Sequence, residues 1–138
     1  MFWRKIIGCW KSVVVIGAIA YVSLFRKLDM VLPLMVGLDK WIHGMMYLVL
    51  VLVLLLDSKT VWWHQTGNGV CGFWAKKWWL VISIISIIYG GLIEILQERY
   101  FYPRVGDWLD WLADCIGVLV GVCIWFVGEK WYEGRMAK

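Results

Sequence analysis

Apolar and polar positions along this chain fall into long blocks, not into the short alternations of a soluble fold. Four blocks are apolar over about the 20 residues that a helix needs to cross a hydrocarbon core of about 30 Å. They run from about Ile6 to Phe25, Val36 to Leu56, Trp78 to Leu96 and Trp108 to Val127. Each predicts a transmembrane helix. The expected fold is all-α, a polytopic membrane protein of four helices forming a single domain over residues 1–138. The first block has the basic start and apolar core of a secretory leader. However, Tyr21-Val-Ser-Leu-Phe25 lacks the small-residue pattern of a cleavage site, so the block is expected to remain as a helix.

Composition strengthens this picture. Apolar residues make up 62% of the 138, and only 17% are charged, where a soluble surface would carry about a quarter. A water-soluble domain of this size has too much surface for its volume to hide that much apolar area. The chain has 12 Trp, most of them beside the apolar blocks, such as Trp10, Trp41, Trp78, Trp79, Trp108 and Trp131. Amphipathic rings settle at the headgroup level, so these read as interface anchors. The four cysteines, Cys9, Cys71, Cys115 and Cys123, form no Cys-x-x-Cys pair, and neither disulfides nor a zinc site is expected from them.

Charge sets the orientation. The net charge is +4, and the Lys and Arg are dispersed along the chain, which argues against nucleic acid as a partner. One set of helix ends carries Arg4, Lys5, Lys11, Lys59, Lys76, Lys77, Lys130, Arg135 and Lys138; the other carries Arg26, Lys27, Lys40, Arg99 and Arg104. By the positive-inside rule, both termini and the connection from Asp57 to Lys77 lie in the cytoplasm. The connection from Glu98 to Gly106 is short and lies outside, so the third and fourth helices are expected to form a tight hairpin.

Three of the helices carry a polar stripe. On the third, Ser83, Ser86, Gly90, Glu94 and Gln97 recur at three- and four-residue steps; on the fourth, Asp107, Asp110, Asp114, Gly117 and Gly121 do the same. On the second, Asp39, His43 and Tyr47 are each four apart. Such spacing places each set on one helical face, and the charged ends of all three stripes lie toward the outer side. Gly117-x-x-x-Gly121 is a pattern that lets membrane helices approach closely. Ionisable groups at membrane depth are costly and mark interior or wet sites.

The candidate site is therefore Asp39, Lys40, His43, Glu94, Gln97, Arg104, Asp107, Asp110 and Asp114. Crowded carboxylates resist ionising together, so at least one is expected to keep its proton. Glu94, the deepest acid on its helix, is the first candidate for a general acid or base, with His43 sharing the work near neutral pH. Arg104 and Lys40 are suited to hold an anionic head, Arg104 in a bidentate fashion. A divalent ion on His43, Glu94 and Asp110 would suit the mixed nitrogen and oxygen donors. No ligand-spacing motif calls for one, and neither metal nor cofactor is expected. The structural alternative is that Lys40 and Arg104 neutralise neighbouring aspartates and hold the helices in register.

Asp39-Lys-Trp-Ile-His43-Gly-Met-Met-Tyr47 resembles the opening of a helix in VanZ-like membrane proteins. Glu94-Ile-Leu-Gln97 resembles the end of that family's next helix, and Arg104 followed by Asp107-Trp-Leu-Asp110 and Gly117-x-x-x-Gly121 resembles its last. The resemblance covers about Asp39 to Gly121, in matching order. One position departs: the family usually carries Asn where this chain has Asp114, and an extra carboxylate there is expected either to raise a neighbour's pKa or to require another cation. The resemblance implies a protein of the bacterial cytoplasmic membrane. The family's name-giving member is associated with low-level resistance to the lipoglycopeptide teicoplanin.

Two functions follow as expectations. In one, the outer-face site acts on an anionic cell-envelope amphiphile, a lipid-linked precursor or a lipoglycopeptide. In the other, a non-catalytic protein binds or shields such a molecule, and its charges are a structural network. Whether a reaction is catalysed is left open by the residues. Four helices are few for alternating access, and no paired broken helices are present; a homo-oligomer would supply further walls.

Overall fold

A computed structural model of the chain describes residues 9–25, 37–63, 72–100 and 107–136. They form four α-helices: α1 (Trp10–Phe25), α2 (Leu38–Trp63), α3 (Gly72–Tyr100) and α4 (Trp108–Met136). Among these, α2, α3 and α4 are long and apolar enough to cross a membrane. The described part of α1 has 16 residues and rises about 24 Å, less than the core thickness. The long helices run past the apolar blocks. At 29 residues each, α3 and α4 rise about 44 Å. The extra turns follow because Asp, Ser, Lys and Glu end an apolar block without ending a helix.

One sequence expectation changes with this. Asp57, assigned to the cytoplasmic connection, lies on α2 and is buried. Its Oδ2 accepts hydrogen bonds from the Ser12 hydroxyl at 2.6 Å and the Ser12 backbone N–H at 3.1 Å. The connection's Gly67-Asn68-Gly69 turn lies outside the described residues.

The hydrogen bonds between helices define the bundle's directions. Ser12, early on α1, meets Asp57, late on α2. On α3, Tyr89 and Gln97 donate to the Ile16 and Ser23 carbonyls of α1. α1 and α3 therefore run one way, and α2 and α4 run the other. At one end lies the acid-rich cluster; at the other lie Ser12–Asp57 and the Lys59–Glu129 ion pair of 2.9 Å. The α3–α4 hairpin is closed by the Trp111 indole N–H donating to the Ile87 carbonyl and by an edge-on contact of Trp79 with Phe126.

Polarity is distributed inside out relative to a soluble bundle. Exposed positions include Val13, Ile84, Ile88, Ile95, Leu119 and Val127, while His43, Ser86, Glu94, Gln97, Asp110 and Asp114 are buried. An apolar perimeter around a polar interior suits a chain whose solvent is lipid. The interior retains an apolar centre, with Tyr47, Leu50 and Val51 of α2 against Val118 of α4. Ser83 and Ser86 spend their hydroxyls on the Trp79 and Ile82 carbonyls of their own helix, which satisfies them without a cross-helix partner.

α2 and α4 approach each other closely at their glycines. A Cβ placed on Gly117 would collide with the Gly44 carbonyl oxygen and stand 3.0 Å from the Gly44 Cα. One turn on, a Cβ on Gly121 would collide with Val51 Cγ1 and stand 3.1 Å from the Leu48 carbonyl oxygen. The two backbones thus touch, as the small-residue spacing predicts. Gly37, just before α2, has φ of +102°, a conformation L side chains rarely adopt.

Gly117→Ala should therefore lower the melting temperature of the detergent-purified protein, with an overpacking cost of about 1–3 kcal/mol or more. Gly128→Ala, on the same helix with open space around it, should cost nothing. Equal stability of the two variants, followed by size-exclusion chromatography after heating, would contradict the backbone contact.

Candidate functional site

The α2–α4 contact sets the site. His43 precedes Gly44, and Asp114 lies one turn before Gly117, so the glycine contact brings their side chains together across the interface. His43 Nδ1 stands 3.2 Å from Asp114 Oδ1, both groups almost fully buried. The other ring nitrogen, Nε2, faces Asp39 Oδ1 at 4.0 Å, one turn back on α2. The imidazole is thus held between two carboxylates.

Lys40 forms the rim. Its Nζ donates to Asp107 Oδ2 at 2.9 Å and to Asp110 Oδ1 at 3.1 Å. Asp107 is the N-cap of α4: its Oδ1 accepts the Leu109 N–H at 2.9 Å, and its carbonyl accepts the Asp110 and Trp111 N–H groups. The Leu109 N–H first, and then Lys40, hold the Asp107 carboxyl below its ordinary range.

Glu94 joins α3 to this group. Its Oε2 accepts the Asp107 backbone N–H at 3.0 Å. The same residue therefore receives a bond at the start of α4 and contributes a carboxylate to the interior. Gly90, one turn earlier, leaves the space that the Asp114 carboxylate and the Tyr47 ring occupy: a Cβ there would stand 2.9 Å from Asp114 Oδ2 and 3.3 Å from Tyr47 Cε1. Glu94 Oε1 and the Tyr47 hydroxyl oxygen are buried, and neither has a hydrogen-bond partner among the described residues. A buried polar atom without a partner costs about 1–3 kcal/mol, and more where lipid excludes water.

Of the residues singled out from the sequence, Asp39, Lys40, His43, Glu94, Asp107, Asp110 and Asp114 meet at one end of the bundle. Gln97 is buried, and its amide donates to the Ser23 carbonyl of α1 at 2.9 Å, so it ties α3 to α1. Arg104 lies outside the described residues. Asp114, and not Asp110 as the sequence suggested, is grouped with His43 and Glu94. Tyr47, on the same stripe as Asp39 and His43, places its ring against the site. Two contacts went unseen. Ser12–Asp57 joins residues 45 apart, and no local pattern links them. Lys59–Glu129 joins residues 70 apart.

No protein-family model, curated protein or solved structure matches the chain.

The rim ion pairs should contribute measurably where Lys40 meets Asp110, because that carboxylate is only 11% exposed. Lys40→Met and Asp110→Asn should each destabilise, and the double variant should be less harmed than their sum, with a coupling of about 1 kcal/mol. Lys59→Met, which removes an ion pair between half-exposed groups, should cost less. Additive effects at Lys40 and Asp110 in thermal melts would show that the bridge does not form.

Proposed function

We propose that this chain is a VanZ-like protein of the bacterial cytoplasmic membrane, whose outer-face site acts on or shields an anionic cell-envelope amphiphile and contributes to teicoplanin resistance. The observation that carries this proposal is the convergence of His43, Glu94 and Asp114 from three helices into one buried group, in which a Glu94 carboxylate oxygen has no hydrogen-bond partner among the described residues. A network that only held helices together would be expected to pair its deepest atoms. The cluster's residues are those on which the family resemblance rests. Lys40, at the rim, offers a cation to an approaching phosphate or carboxylate, while Glu94 and His43 are placed to move a proton at the reacting group.

The proposed topology has α1 as a fourth crossing and both termini in the cytoplasm. The end opposite the cluster carries Lys11, Lys59, Lys77 and Lys130 on the described helices, which fits a cytoplasmic face. A fluorescent protein fused after Lys138 should then fluoresce, and an alkaline phosphatase fused there should be inactive. The reverse result would invert the site to the cytoplasmic side and remove the envelope reading.

A second reading is favoured by the Lys40 bridge to Asp107 and Asp110: the cluster is a structural ion-pair network in a non-catalytic binding protein. The deciding experiment expresses wild type and Glu94→Gln at equal folded levels in a teicoplanin-sensitive bacterium. Wild type should raise the inhibitory concentration, and Glu94→Gln should lose most of that protection. Equal protection by both would leave the network reading standing. No protection by either would refute the resistance role.

A further inference from the structure

We infer that His43, Glu94 and Asp114 form a binding site for one divalent cation of the manganese-to-zinc series. One ligand atom from each of the three buried residues lies within 4.8 Å of the others. Two ligands on a common ion at about 2.1 Å stand about 3.0–3.4 Å apart, whether the geometry is octahedral or tetrahedral. His43 Nδ1 and Asp114 Oδ1 are already at 3.2 Å. An ion between them takes the place of the proton that the two atoms share, with Glu94, whose ligand atom lies within 4.8 Å of theirs, as the third ligand.

A second, independent observation points to the same place. Glu94 is 8% exposed, and its Oε1 has no hydrogen-bond partner among the described residues. The Tyr47 hydroxyl, also without one there, belongs to the ring that meets Asp114 at Gly90. An ion supplies a partner for the carboxylate, and a water on that ion suits the phenol. The charges agree as well. Lys40 is held by Asp107 and Asp110 at the rim, and three carboxylates, Asp39, Glu94 and Asp114, stand around the one imidazole.

The surroundings have the form of a metal site's outer layer. A ligating imidazole usually donates its remaining N–H to a carboxylate, and Asp39 Oδ1 faces His43 Nε2. The nitrogen donor favours a transition ion over calcium or magnesium, which prefer oxygen ligands throughout. A competing trio, Asp39, His43 and Asp110, uses the other side of the ring. In that trio Asp110 already has its Oδ1 bonded to Lys40.

The ion site rests on the outer-face reading for what the ion would be used for, but not for whether it binds. The test is direct binding to the full chain in detergent, stripped with EDTA and titrated separately with Zn2+ and Mn2+ by calorimetry. Wild type should take up a single equivalent of one or both. Glu94→Gln and Asp114→Asn, checked for folding by size exclusion, should bind roughly 100-fold more weakly or not at all, and Asp39→Asn about 10–100-fold more weakly. Lys59→Met, at the opposite end of the bundle, should bind as wild type does; loss in Asp110→Asn with binding retained in Glu94→Gln would move the ion to the competing trio and overturn the assignment. Cobalt on the wild-type protein gives a check that needs no variant. A thiolate-to-cobalt charge-transfer band would place the ion on cysteine and overturn the site, as would no uptake of any of the three ions. Protection from teicoplanin by a protein that holds no ion would overturn the ion alone. Binding without protection would overturn the envelope function alone.

Discussion

The contact of α2 and α4 at Gly44 and Gly117 is the constraint on which the rest depends. Between membrane helices there is little hydrophobic drive, since lipid tails are as apolar as leucine, and close backbone packing must do more of the work. Here it also does geometry. Backbones that touch at Gly44 and Gly117 leave only short distances for the side chains near them, His43 next to Gly44 and Asp114 one turn before Gly117. Above them, the same parallel pairing brings Lys40 to Asp107 and Asp110. Below them, it packs Val51 against Gly121 and sets Lys59 beside Glu129. One close approach therefore fixes the register of every polar pair between the two helices.

Parallel α2 and α4 also explain why the cluster is acidic. Both helices begin at that end, with Asp39 in the first turn of α2 and Asp110 in the first turn of α4. A helix N-terminus carries a partial positive charge and unsatisfied N–H groups. Asp107 uses its own carboxylate on one of these groups, and Glu94 receives the Asp107 N–H from the neighbouring helix. The carboxylates are thus partly balanced by backbone before any side-chain cation is counted.

Much of this is legible in the sequence, and the reason is periodicity. Lipid makes the outward faces uniformly apolar, so any three-and-four spacing of polar or small residues stands out: Ser83 to Gln97, Asp107 to Gly121, Asp39 to Tyr47. Those stripes turn out to be the buried faces. What spacing along one helix does not encode is the pairing between helices. It does not distinguish Asp114 from Asp110 as the neighbour of His43, because both lie on the same stripe, one turn apart. It also missed Ser12 with Asp57, since Asp57 stands where the apolar block ends and reads as loop. Helix length was underestimated for the same reason: hydropathy measures the bilayer, and helices continue into the headgroups.

The cluster is graded in exposure, and the grading bears on its purpose. Lys40 and Asp107 are partly open to solvent, Asp110 is nearly closed off, and His43 and Asp114 are sealed. For helix registration alone, the rim would be enough: the Lys40 bridge spans α2 and α4 where water still lowers the cost of charge. The sealed group adds an imidazole and two more carboxylates where desolvation is most expensive, and there an oxygen of Glu94 and the hydroxyl of Tyr47 have no hydrogen-bond partner among the described residues. Selection for stability would replace such atoms with apolar ones of similar shape, which is often neutral or favourable. That these atoms remain polar is what the proposed ligand at this end would account for: a cation or a polar head reaching them from the rim would supply the partners they lack among the described residues.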